Sequence, residues 1–168
     1  VRSHIMSLRG PEPLESRWLL SGYVPEGLPG EVVSGWALGG NAFDDARAVA
    51  VDAQQRLIVA GTTFSAGWTS GGFDTSWGGE GDAYIAKFSS DGEHLWSTYL
   101  GGSYDDGVAA LVVDQDGFIY VAGWTRSSGW VSGGYDTSYG GAGDCFVAKL
   151  SPEGNYLWAT YLGGSNWD

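Results

Sequence analysis

Two long connections rich in aromatic and acidic side chains are the best candidates for chemistry in this chain of 168 residues. They read TTFSAGWTSGGFDTSWGGEG (residues 62–81) and WTRSSGWVSGGYDTSYGGAG (residues 124–143). Aromatic rings beside carboxylates can stack on a sugar and accept hydrogen bonds from its hydroxyls, because sugars have apolar faces and polar edges. The candidate ligand-binding residues are Trp68, Asp74, Trp77, Trp130, Asp136 and Tyr139.

The same aromatic side chains can instead serve the fold by packing each connection onto its own repeat or onto the next one. The two connections have the same length and the same polar framework, which is expected of a spacer between repeats as much as of a binding site. The sequence leaves both interpretations open.

Catalysis has little support in the sequence. The histidines are His4 and His94, and the second is replaced by Tyr156 in the matching position, so neither a histidine-based triad nor a zinc cluster can be assembled. No G-x-S-x-G elbow or phosphate loop occurs. We therefore predict a protein that is not an enzyme, with no catalytic residues, no bound metal and no cofactor.

The aspartates give a weak metal signal. The run Asp114-Gln115-Asp116-Gly117 opens like a calcium loop, but the rest of that pattern is missing, and the matching run begins Asp52-Ala53. A turn is the favoured interpretation. The pairs Asp44-Asp45 and Asp105-Asp106 follow Gly-Gly turns, and a calcium site at the edge of a repeat is a weaker alternative there.

Charge and hydropathy exclude two classes of partner. The formal charge of −12 and the isoelectric point near 4.2 repel a phosphate backbone, so we predict no nucleic-acid binding. No stretch approaches the roughly 18 apolar residues that a membrane-spanning helix needs.

A period of 62 residues organises the chain. The phrase YLGGS begins at Tyr99 and again at Tyr161, and the same offset relates Asp52 to Asp114 and Lys87 to Lys149. Roughly half of the positions in the two copies are identical, which independent segments do not achieve by chance. The chain therefore contains a tandem repeat.

Each repeat contains four short apolar runs separated by turn residues, the pattern of antiparallel strands. The first run of each copy is almost continuously apolar, which predicts a strand buried on both faces. Gly92 and Gly154 are placed to take positive φ in the turn before the fourth strand. The predicted strands are 46–52, 56–61, 83–88 and 94–100, then 108–114, 118–123, 145–150 and 156–162.

Four meandering strands in a tandem repeat are typical of the blades of a β-propeller, so the predicted fold is an all-β, incomplete propeller. Residues 1–31 are expected to be a poorly ordered leader and residues 32–168 a partial propeller. The latter comprises an orphan strand at 32–38 and two blades at about 42–100 and 104–162. Propellers typically have about 4 to 8 blades, so closure requires further blades of the same chain, which we favour, or other protomers.

The repeat resembles a known family. The phrases TYLGGS, VVDQDGFIYVAGWT and GGYDTSYGGAGDCFVAKLSPEGNYLWATYLGG are similar to the SBBP family of bacterial β-propeller repeats, and the likeness runs from Trp36 to the end of the sequence. The resemblance implies a propeller in a secreted or cell-surface bacterial protein. It supplies no catalytic residues.

The leader carries a second resemblance. Residues 14–21, LESRWLLS, are similar to the N-terminal motif of exported proteins in planctomycete-type bacteria, although the apolar stretch of an ordinary signal peptide is missing. Residues 1–6 are either vector-derived or a natural start, and they are set aside. The resemblance implies an extracellular or cell-surface location.

These observations predict a non-catalytic extracellular propeller module with a structural or protein-interaction role. One alternative is a carbohydrate-binding propeller that uses the long aromatic connections. Another is part of a propeller enzyme whose site lies in blades outside this sequence. The expected partners are further blades, other protomers, extracellular proteins or glycans.

Overall fold

The computed structural model describes residues 37–166, which contain eight β-strands and no helix. The strands are β1 Asp44–Val51, β2 Leu57–Thr63, β3 Asp82–Phe88, β4 His94–Leu100, β5 Asp106–Val113, β6 Ile119–Thr125, β7 Asp144–Leu150 and β8 Tyr156–Leu162. The all-β prediction is confirmed for these residues.

The strands form two antiparallel meanders that repeat one another. The first sheet has the order β1-β2-β3-β4 and the second the order β5-β6-β7-β8. Both sheets have a β-bulge in the first strand, between Ala46 and Ala48 and between Val108 and Ala110. Their architecture is consistent with blades of a propeller-like fold that is not closed.

The core lies between the two sheets. Residues paired across a sheet share a face, so Ile58, Ile85 and Leu100 belong to one face of the first sheet. That face packs on the face of the second sheet that carries Val121 and Phe146, and all five residues belong to one hydrophobic cluster. Burial of this cluster is the main stabilising contribution that joins the sheets.

The first strand of each sheet is less buried than its apolar sequence predicts. Val49 in β1 is 63% exposed and Val112 in β5 is 61% exposed, so the prediction of a strand buried on both faces is wrong. Each strand is the edge of its sheet and pairs on one side only. Val49 and Val112 each point to the outward face of their own sheet, and nothing within residues 37–166 covers either face at these positions.

The strand boundaries agree closely with the sequence pattern, and the main difference is that β2 and β6 continue to Thr63 and Thr125. Gly92 and Gly154 have φ of 86° and 83°, as predicted for their turns. The expected leader at residues 1–31 lies outside the described residues, as does most of the expected orphan strand at 32–38.

Candidate functional site

The first candidate site is the connection between the second and third strands, and its leading tryptophans pack against the sheet. The indole Nε1 of Trp68 donates to Thr63 Oγ1 at 2.9 Å, and the ring meets Tyr84 and Tyr99 edge-on at centroid distances of 5.0 and 6.2 Å. Both tyrosines are buried. Trp68 is half-buried and anchors its connection to the sheet.

Trp130 repeats this arrangement in the second sheet. Its Nε1 donates to Thr125 Oγ1 at 3.1 Å, and its ring lies 5.0 Å from the ring of Phe146 and 6.3 Å from that of Tyr161. The hydroxyl of Tyr161 in turn donates to the carbonyl of Ser127 at 2.9 Å. Both connections are therefore fixed to their sheets in the same way.

The candidate aspartates organise turns within the connections. Asp74 Oδ1 accepts from Ser76 N at 2.8 Å, and its main-chain carbonyl accepts from Tyr99 N at 2.9 Å. Asp136 makes the matching contacts, with Ser138 N at 2.9 Å and with the amide of Tyr161. These bonds hold the connection along the fourth strand of its own sheet.

The last two candidate aromatics differ from one another in their surroundings. Trp77 is 39% exposed, while the half-buried Tyr139 lies 5.7 Å from the ring of Tyr161. The structure thus brings Trp130 and Tyr139 onto the same tyrosine, and leaves Trp77 as the more accessible ring. Ligand binding by these residues stays a prediction.

One aromatic residue of the first connection reaches the neighbouring blade. The ring of Phe73 lies 5.2 Å from that of Tyr156, which begins β8 in the second sheet. Its counterpart Tyr135 is 99% exposed. The first connection therefore bridges two repeats, as expected of a spacer.

The second candidate site is the interface between the sheets, where a lysine is buried. Lys87 Nζ lies 3.1 Å from Asp52 Oδ2, and the side chains of both are at most 1% exposed. Asp52 also accepts from Arg56 Nε at 2.7 Å. Burial opposes the ionised carboxylate, but the hydrogen bonds from Arg56 and Lys87 hold the pKa of Asp52 below its usual value.

The buried lysine also contacts the second repeat. Lys87 Nζ donates to the carbonyl oxygen of Pro152 at 3.0 Å, and Trp96 Nε1 donates to the same oxygen at 3.2 Å. Pro152 lies in the turn between β7 and β8. One main-chain carbonyl of the second repeat thus receives two donors from the first, an arrangement that we call the carbonyl clamp.

Gly154 lets the turn approach the clamp. It has a φ of 83°, and a Cβ on this residue would lie 2.7 Å from the Trp96 ring. Both the turn conformation and the close contact therefore require glycine.

Gly154→Ala is accordingly expected to lower the free energy of unfolding more than Gly129→Ala does. Gly129 has a similar φ of 82°, and a Cβ added there would have nothing within 4 Å, so its substitution measures the backbone strain alone, about 1–2 kcal/mol. Gly154→Ala adds the overlap with Trp96, about 1–3 kcal/mol more. Urea denaturation measures both, and equal losses would contradict the contact.

Comparison with known families addresses the repeat directly. Residues 95–129 match the family described as SBBP, a β-propeller repeat. The chain carries an SBBP β-propeller repeat. The matched stretch runs from β4 of the first sheet through β5 and β6 of the second, so it includes the junction between the blades.

The chain is also similar to a curated protein, the regulatory protein FlaEY of Caulobacter vibrioides. The two are 26% identical over 74 residues, which is 44% of this chain and 8% of FlaEY. The chain therefore matches less than a tenth of that relative's length.

A buried carboxylate of the first sheet is influenced by the charge of Asp106, the first residue of β5. Asp82, at the start of β3, is 1% exposed, and its Oδ2 accepts from Gly78 N at 2.7 Å, whereas no partner is found for Oδ1 among residues 37–166. Burial, together with the charges of Asp106 and Asp74, raises the pKa of Asp82 to about 7.

The aspartates considered as calcium ligands do not form a metal site in the described part of the chain. No group of three or more histidine, cysteine, aspartate or glutamate side chains there is arranged to hold a metal ion. Asp114 Oδ1 accepts from the amides of Asp116 and Phe118, so this run forms a turn. Asp44 accepts from Gly40 N at 2.9 Å and from the hydroxyls of Thr63 and Ser65.

Sequence reasoning did not single out the carbonyl clamp. Lys87 and Lys149 are the two lysines of the chain, and they occupy the same position of the repeat inside apolar strands. In a strand with alternating side chains, Lys87 falls on the same face as Ile85, which is the signal that points to a buried charge. Within residues 37–166, no helix is long and apolar enough to cross a membrane.

Proposed function

We propose that this chain is a non-catalytic SBBP propeller module with a structural or protein-interaction role, located outside the cell or on its surface. The observation that carries the structural role is the carbonyl clamp, in which the buried Lys87 and Trp96 of one blade donate hydrogen bonds to the next blade. Two buried donors of the first blade thus serve to stack the repeats.

The proposed protein-interaction role is supported by exposed side chains and by the name of a similar protein. Tyr135 and Leu162 are exposed apolar side chains on the second blade, of a kind that contact partner proteins. FlaEY is named a regulatory protein, which is compatible with a module that contacts other proteins. The location rests on the resemblance of residues 14–21 to an export motif.

A glycan titration separates this proposal from the carbohydrate-binding alternative, which the exposed ring of Trp77 favours. The full chain is titrated with a panel of glycans while tryptophan emission is followed. We expect no change, because Trp68 and Trp130 are engaged with their own sheets. A saturable response that disappears in Trp77→Ala and persists in Phe43→Ala, which changes an exposed ring outside the connections, would favour the alternative.

The proposed location has its own test. Residues 1–31 are fused to a reporter that is active only after export and are expressed in a planctomycete host. We expect reporter activity that is lost when Arg17 and the two leucines after Trp18 are replaced by alanine. A reporter that stays inside the cell would contradict the extracellular location without affecting the structural role.

A further inference from the structure

A buried oxygen of Asp82 lies beside the linker that joins the two sheets. This linker, residues 101–105, runs from β4 to β5. A Cβ built on Gly78 would lie 2.0 Å from the carbonyl oxygen of Gly102 and 3.4 Å from Asp82 Oδ1, so both oxygens border the same small space. Oδ1 is buried and has no hydrogen-bond partner among residues 37–166.

The two oxygens are both acceptors when Asp82 is ionised. A main-chain carbonyl accepts only, and so does a carboxylate, whereas a protonated carboxyl has one O–H donor. A proton on Asp82 therefore turns a repulsion between buried acceptors into a hydrogen bond. Asp82 Oδ2 already accepts from Gly78 N at 2.7 Å, which leaves Oδ1 as the oxygen that carries the proton.

The groups around Asp82 favour the protonated form. Burial, together with the charges of Asp106 at the start of β5 and Asp74 in the connection, raises its pKa to about 7. Tyr99 of β4 is a third titratable neighbour, and burial, with a contribution from Asp82, raises the pKa of its hydroxyl. No ion pair within residues 37–166 includes Asp82, so no basic side chain there balances its charge.

The same arrangement recurs in the second sheet. Asp144 Oδ2 accepts from Gly140 N at 2.7 Å, while the buried Oδ1 has no hydrogen-bond partner in the described part of the chain. A Cβ built on Gly140 would lie 2.2 Å from the carbonyl oxygen of Gly164. The buried oxygen beside a linker carbonyl is thus a feature of the repeat and not of one side-chain position.

We infer that Asp82 is a pH-sensitive latch on the linker: when protonated, its Oδ1–H donates to the main-chain carbonyl of Gly102 and holds residues 101–105 against the connection. When the proton leaves to solvent, repulsion between the two oxygens replaces the hydrogen bond and the linker opens locally. The latch goes beyond the proposed structural role, because it makes the junction between the repeats respond to acidity.

Two amides report the state of the linker. Gly102 N donates to Asp106 Oδ2 at 2.8 Å, and Asp106 N donates to the carbonyl of Gly81 at 2.8 Å. Both bonds break when residues 101–105 leave the connection. Gly117 N, which donates to the Asp114 carbonyl in a turn of the second sheet, is the internal reference, because that turn can open without releasing the latch.

Amide hydrogen exchange followed by NMR from pH 5 to pH 8 tests the latch. Rates are expressed as protection factors, so that the intrinsic pH dependence of exchange cancels. We expect protection at Gly102 and Asp106 to fall about tenfold relative to Gly117, since the protonated fraction of a group with a pKa of about 7 falls by that factor. The carbonyl carbon resonance of Gly102 should titrate together with the carboxyl carbon of Asp82.

Three variants separate the hydrogen bond from the charge. Asp82→Asn supplies a permanent N–H donor, so its linker should keep at pH 8 the protection that the wild type has at pH 5. Asp82→Leu removes both charge and donor, and its linker should be about tenfold less protected than that of Asp82→Asn at every pH. Asp144→Asn makes the matching change in the second sheet and should retain the wild-type pH dependence at Gly102.

Two results would overturn the inference. The latch is wrong if linker protection in the wild type, relative to Gly117, does not change between pH 5 and pH 8, or changes equally in Asp82→Asn. Donation to the Gly102 carbonyl is wrong if Asp82→Leu protects the linker as well as Asp82→Asn does, because loss of the charge alone then explains the effect.

Discussion

Lys87→Ala is expected to lower the free energy of unfolding by about 3 kcal/mol, because removal of one partner leaves a buried charge and a buried carbonyl with fewer donors. Asp52 would keep its bond from Arg56 at 2.7 Å, and the Pro152 carbonyl would keep only the Trp96 donor. Those remaining contacts place the loss at the lower end of the range for broken buried pairs.

The repeat offers a matched control for this substitution. Lys149→Ala changes the same residue type at the same position of the next blade, where the amine lies over two aromatic rings on a half-buried surface. We expect a loss of about 1 kcal/mol or less. Lys87→Met retains the apolar stem but removes the charge and its hydrogen bonds. It should therefore show most of the loss in free energy of unfolding that Lys87→Ala shows.

Urea denaturation followed by intrinsic fluorescence measures all three variants. Equal losses for Lys87→Ala and Lys149→Ala would contradict the assignment of the clamp to the interface between the blades. A larger loss for Lys87→Ala than for Lys87→Met measures the packing of the aliphatic stem separately from the charge.

The stability of the chain is expected to fall between about pH 4 and pH 7 through the buried carboxylate of Asp82. Its pKa is raised from 3.8 to about 7 in the folded chain, so the folded state holds the proton that the unfolded state releases. Below pH 4 both states are protonated and the difference vanishes. Above pH 7 both are ionised, and the full penalty, of the order of 2–4 kcal/mol, is present.

Asp82→Asn removes this titration and isolates it from other groups. Wild type should lose stability relative to the Asn variant as the pH rises through this window, by a few kcal/mol in total. Asp106 contributes in the same direction, since burial raises its pKa, whereas His94 contributes in the opposite direction, because burial lowers its pKa. Both groups are common to the two proteins and largely cancel in the difference.

The control is Asp91→Asn, which removes a charge from an exposed turn residue without touching the buried carboxylate of Asp82. Unfolding free energies at pH 4, 5.5, 7 and 8 give the profile of each protein. A difference between wild type and Asp82→Asn that does not change with pH would contradict the titration. The pKa of Asp52 is lowered, so the stabilisation that its ionised carboxylate provides is lost only below about pH 4. It therefore does not change within this window.

The sequence by itself determined the repeat and most of the strands. The apolar runs and the turn glycines Gly92 and Gly154 are local features that predict strands and turns, and the offset of 62 residues shows that the unit repeats. The same features led to the SBBP resemblance, which the match at residues 95–129 confirms. Each of these predictions depends on a short stretch of sequence or on comparison of the two copies, so it does not require knowledge of the tertiary contacts.

Only the tertiary structure decided which faces are covered. The apolar first strands suggested burial on both sides, but Val49 and Val112 are exposed because each points to the face of its sheet that the other blade does not cover. Lys87 and Lys149 are indistinguishable in the repeat pattern, yet one is buried between the blades and the other lies on an open face. Burial depends on which blade stands opposite, and the sequence of one repeat does not contain that information.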